Sequence, residues 1–340
     1  MPAWLADPAI RWALPLPVLL ALAPLVWRFF RETWARLEEE ALAHRQALAA
    51  EGKIDLRPAV AMAFGTFVIL VLEVFGRSAV FIAHFLPRLE AAVAEHAFLR
   101  DTLATYGDLV AKSWWAGTRV VGYLSPLLLW RFAFPQDRLA DMGLRLRGFR
   151  EHAWLYALFL VIIVPILWLA GREADFAEQY PIFPRAGRSW LDFVIWELGY
   201  LAQFFALEVF FRGFWLRACR GLGVGAIFSM VVPYTMIHLG KPYFEACGAI
   251  VAGTVLGSLS ARTRSIWAGF LVHATVGLLM DIRALGIKGQ LPERWTATSS
   301  GGLRFPYWDA AIWGAWVLAL VVLLVHGWPR LRRARRKSAV

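Results

Sequence analysis

Two cysteines, Cys219 and Cys247, are all the chain has. That pair excludes a disulfide framework and any cysteine-based metal spacing. Charge is scarce as well: 18% of the 340 residues are charged against 59% hydrophobic, and the mean hydropathy is +0.53. A soluble domain of this length carries more charge and fewer long apolar runs. HExxH is absent, which removes the zinc-protease helix, and the absence of GxSxG and GxxxxGK[ST] removes serine-hydrolase and P-loop chemistry. A basic leader is also missing. Only Arg11 stands at the head of the apolar run from about Ile10 to Phe30, and Pro24 follows the small pair Ala21 and Ala23, so this run reads as a retained span. The net charge of +11 is not a nucleic-acid signal in so apolar a chain; it reads as cytoplasmic loop charge plus a basic tail on an anionic leaflet.

What the chain does have is apolar stretches of span length, about 20 residues each. Candidate spans fall near 10–30, 59–82, 115–134, 153–170, 190–215, 223–239, 244–260, 265–283 and 307–328. These imply an all-α, polytopic bundle of eight or nine spans, and 18 Trp suit interfacial belts. Residues 31–57 are charged and helix-forming, an expected extramembrane helix; 87–112 is interfacial in character; 284–306 reads as a loop. The expected organisation is an N-terminal membrane region (1–140), a core (141–285), and a loop, last span and basic tail (286–340). Lys and Arg concentrate on one side if the N-terminus is outside, as in Arg28 to Arg57, Arg131 to Arg150, and Arg330 to Lys337. The expected protein is therefore integral to a membrane, taken as a bacterial inner membrane, with N outside and C inside.

Ionisable residues lie inside three of these stretches, 190–215, 223–239 and 265–283. A charge at bilayer depth persists where it faces a bundle interior or a wet cavity and has a partner. Glu208 and Arg212 are four apart, on one helix face, with the acid N-terminal to the cation. Glu197 lies eleven residues earlier and about 20° away on the same face. The bland reading is a structural ion pair. The chain supplies its own warning, because LEVFGR at 72–77 repeats the spacing of LEVFFR at 207–212, with Glu73 and Arg77 in place of Glu208 and Arg212. His238 closes its stretch four residues after Tyr234, a place where a capping histidine is common. His273 sits mid-stretch, where its ring nitrogens need partners. Asp281 follows eight residues later and reads as a span boundary, with approach to the same cavity as the alternative. A Glu with two His can deprotonate a water, or hold a divalent metal that does so, though the metal is not required.

The order Glu-x-x-x-Arg-Gly, aromatic-x-x-x-His, then His, each in its own stretch, resembles the CAAX-protease and bacteriocin-processing family of intramembrane proteases. The pieces are EVFFRG (208–213), YTMIH (234–238) and HATVG (273–277), supported by 248–273 and by DMGLRL at 141–146. The resemblance covers about residues 140–285. It implies that a first-motif Glu and the second-motif His activate water, and that the third motif, His-x-x-x-Asn or Asp, stabilises the oxyanion. Here Leu207 stands where the first Glu would be, and Gly277 where the Asn would be. The expected function is thus an intramembrane endopeptidase with catalytic residues Glu208, Arg212, His238 and His273, and with Glu197, Tyr234 and Asp281 as secondary candidates. Glu208 or Glu197 is the expected base. A membrane-associated peptide or protein is the expected substrate, anionic lipid the partner of the basic tail, and nucleic acid is no partner. The alternatives are an inactive member that binds a peptide, lipid or partner span, and, third, a transporter.

Overall fold

The computed structural model describes residues 13–172, 174–241 and 243–327, and among these every regular element is a helix. The larger helices are α1 (Pro15–Ala50), α2 (Arg57–Phe75), α3 (Ala97–Ala133), α4 (Leu146–Ala170), α5 (Trp190–Glu208), α6 (Gly225–Met236), α7 (Tyr243–Thr263), α8 (Trp267–Lys288) and α9 (Trp308–Val322). Five stretches are long and apolar enough to cross a membrane: α2, α5 with its continuation to Ala218, α7, α8, and α9 extended to Val325. Two shorter apolar helices, Trp154–Ala170 and Gly225–Met236, lie among them. The protein is α-helical and integral to a membrane. The expected number of spans does not emerge, because apolar runs and helices differ in extent. The first run and the charged segment after it form one helix of 36 residues, α1, and the interfacial segment merges with the third run into the 37 residues of α3. The first residues of the first run and the basic tail from residue 328 lie outside the described residues.

The chain forms two compact units. One comprises residues up to Ile69, Leu124–Leu146 and Glu208–Ile266. Here α6 and α7 make a hairpin held close by small residues. A Cβ on Gly253 would come 3.0 Å from the Tyr234 ring, and one on Gly257 would come 2.8 Å from Met230. Such small-residue pairs four apart let helix backbones approach. The charged half of α1 clamps one end of this hairpin. Trp34 Nε1 donates to Ser258 Oγ (2.9 Å), Arg36 to the Ala261 carbonyl (3.1 Å) and Arg45 to the Gly221 carbonyl (2.6 Å). The Glu38 carboxylate accepts the Val224 N–H at 2.8 Å, next to the start of α6, and Arg264 donates to Glu40 at 2.7 Å. Glu38 thus caps α6, whose own Val224 offers no side-chain acceptor.

The other unit comprises Leu70–Tyr123, Arg147–Leu207 and the described residues from Trp267. Its core packs Leu109, Phe183, Phe193, Trp196, Tyr200 and Ile282. The loop after α8 is tied to the head of α5 by main-chain bonds, from Trp190 N–H to the Arg294 carbonyl and from Leu191 N–H to the Trp295 carbonyl.

Candidate active site

In the first unit, the backbone after α5 widens into a π-helical turn, Val209–Trp215, in which every residue is buried. Glu208 and Arg212 meet across it at 2.9 Å, both side chains wholly buried. Gly213 is required here, since a Cβ would meet the Met142 carbonyl oxygen at 2.5 Å. The Arg212 guanidinium lies 4.1 Å from the centre of the Tyr234 ring, stacked over its face. One turn on, His238 Nδ1 donates to the Tyr234 carbonyl at 2.7 Å, and the two rings are 4.8 Å apart. That bond fixes the tautomer of the neutral ring and leaves Nε2 as the acceptor. Glu208, Arg212, Tyr234 and His238 therefore form one connected chain of contacts.

Two residues of this unit have no counterpart among the sequence candidates. Lys241 brings its ammonium to 3.9 Å from the Glu245 carboxylate, and Glu245 is near enough for its charge to act on the Tyr234 phenol. The signal was faint: a lone acid in the first turn of an apolar helix ordinarily reads as a dipole partner. Beside α6 lies an apolar hollow of about 250 Å³ lined by Met62, Thr66, Ile69, Trp215, Val232 and Met236 among others. Cys219 is buried, and burial pushes its thiol up to about 11, so it supplies no thiolate nucleophile.

In the second unit, His273 is half-buried and stacks on Phe204, with ring centres 5.4 Å apart and planes 5° from parallel. A Cβ on Gly277, four residues on, would come 2.6 Å from the Phe204 ring and 3.2 Å from Tyr200. The place for a side chain after His273 is thus filled by aromatic rings. Asp281 is wholly buried well inside α8 and accepts the Trp196 indole N–H at 2.7 Å. The span-boundary reading of Asp281 fails for that reason: it is a bonded interior group. Glu197, 5% exposed, faces Asp281 in the same aromatic surroundings. Among the described residues no three His, Cys, Asp or Glu side chains are grouped to hold a metal ion, so the donor set does not fit a divalent cation.

A family model described as type II CAAX prenyl endopeptidase Rce1-like matches residues 189–279. Over this stretch the chain is similar to the CAAX proteases. The match starts at the head of α5 and ends within α8, so it takes in the Glu208–Arg212 pair, Tyr234, His238, His273 and Gly277. The Rce1-like segment therefore carries the whole constellation except Asp281. No curated protein and no solved structure matches the chain.

Proposed function

We propose that the protein is a membrane-embedded endopeptidase of the CAAX-processing kind, cleaving a peptide bond with an activated water. The observation that carries this reading is the Rce1-like match over a segment whose buried Glu208–Arg212 pair leads through Tyr234 to His238. The roles follow the motifs. Within the first unit Arg212 neutralises Glu208 and braces Tyr234, and His238 orients the water through Nε2; the oxyanion role of His273 comes from the motif order. The apolar hollow beside α6 suits a substrate that bears an apolar chain or is itself a span. The Lys and Arg bias supports an orientation with N outside and C inside.

A second reading, a non-catalytic member whose interior binds a peptide or lipid, draws support from one observation. The Phe204 ring occupies the space where a residue after His273 would place an oxyanion donor. Removing one such donor costs about 10²–10³ in rate. A cleavage assay on membranes separates the two readings. It would compare the native chain with His238→Ala and His273→Ala at matched expression, on a panel of membrane-anchored and C-terminal peptide reporters. A peptidase shows cleavage that falls about 100-fold or more in His238→Ala. A folded native chain that cleaves none of the panel favours the binding reading.

A further inference from the structure

Peptide hydrolysis by water needs a base, and the two carboxylates the sequence offers are poorly placed for it. Glu208 is wholly buried and committed to Arg212. Glu197 is 5% exposed and lies beside a second acid, Asp281.

The α6–α7 hairpin supplies another. Residues four apart share a helix face. Along α7, Gly257 lies against Met230 and Ile227, and Gly253 lies against Tyr234 and Val231. Continuing that face in steps of four gives Ala249, which is buried, and then Glu245. Glu245 therefore stands on the side of α7 turned toward α6, at the end of the hairpin where His238 sits. Two contacts agree with this placement. Lys241 follows His238 by three residues, its N–H bonds the His238 carbonyl at 2.9 Å, and its ammonium reaches Glu245 at 3.9 Å. Glu245 also acts electrostatically on Tyr234, whose carbonyl holds His238 Nδ1. Glu245 is 29% exposed, in the first turn of α7, whereas Glu208 has no exposed side-chain surface.

We propose that Glu245 is the catalytic carboxylate that works with His238 on the attacking water, taking the task that Leu207 cannot perform. This rests on the peptidase reading. The water oxygen bonds to the scissile carbonyl carbon while its proton passes to Glu245. His238 Nε2 accepts the second water hydrogen as a hydrogen bond and so aims the lone pair. The carbon–nitrogen bond then breaks, and Glu245 returns the proton to the leaving amine.

The test uses the full chain in membranes with the cleaved reporter, and the variants Glu245→Gln, Glu245→Asp and Glu245→Ala, the last with and without formate. The expected result is a kcat about 100-fold lower in Glu245→Gln with little change in KM, partial activity in Glu245→Asp, and partial rescue of Glu245→Ala by formate, which supplies the missing carboxylate. Formate should not rescue His238→Ala. Native-like cleavage by Glu245→Gln, with His238→Ala inactive, overturns the proposal and leaves the peptidase standing. So does a loss in Glu245→Ala that formate does not restore and that appears as a raised KM or a lowered Tm, because Glu245 then only positions the hairpin. A folded native chain that cleaves no reporter overturns both readings at once.

Discussion

Residues 72–77 and 207–212 read LEVFGR and LEVFFR, one substitution apart, and they end in different physics. In the second copy the helical winding runs on through Phe211, and Glu208 meets Arg212 at 2.9 Å with neither side chain exposed. In the first, Gly76 follows the last residue of α2, and Arg77 takes up extended backbone at φ −73°, ψ 143°. Arg77 then lies 3.8 Å from Glu73 and is 64% exposed. Glu73 bonds a third residue instead, Arg119, at 2.9 Å. Arg119 is buried, rests 4.2 Å from the Trp115 ring and donates to the Gly76 carbonyl. A spacing of four offers a pair; continuity of the helix and burial decide whether the pair is taken. Glycine costs a helix interior about 1 kcal/mol relative to alanine.

The comparison can be broken at its strongest point first. Glu208→Ala leaves Arg212 as an uncompensated buried charge and should cost about 3–5 kcal/mol, read as a lowered Tm in detergent. A Glu208→Ala protein that melts like the native one would mean that the interior around Arg212 is wet. Glu73→Ala should cost less, about 1–3 kcal/mol by the same measurement, because Arg119 keeps the Gly76 carbonyl and the Trp115 face. Equal losses in the two variants would erase the distinction drawn here. Arg77→Ala should change stability by no more than about 0.5 kcal/mol, as befits an exposed cation 3.8 Å from its acid. A larger effect would show that this arginine has a partner in the membrane.

The all-helical, membrane-embedded character was legible because apolar run length reports directly on the medium. Helix ends were not. Charged residues such as Glu38, Glu39 and Glu40 end an apolar run, yet they are good helix formers, so α1 continues past them to Ala50. The Glu208–Arg212 bond could be read from spacing alone, since both residues lie on one helix. Contacts between helices could not. Nothing in HATVG announces that Phe204 fills the space above Gly277, and nothing in the order of motifs places Glu245 on the face of α7 that meets α6. Asp281 misled for a related reason: near a run's end a carboxylate looks like a boundary, until the Trp196 N–H that it accepts is seen.

The clamp of α1 on the α6–α7 hairpin bears on how the molecule can be divided. Trp34, Arg36, Glu38, Glu40 and Arg45 reach Ser258, Ala261, Val224, Arg264 and Gly221, all inside the Rce1-like segment. The partners stand 176 to 225 residues apart in sequence. Residues 189–279 expressed by themselves would therefore carry an unfinished edge. During synthesis these contacts of the early helix can form only once the hairpin has been made.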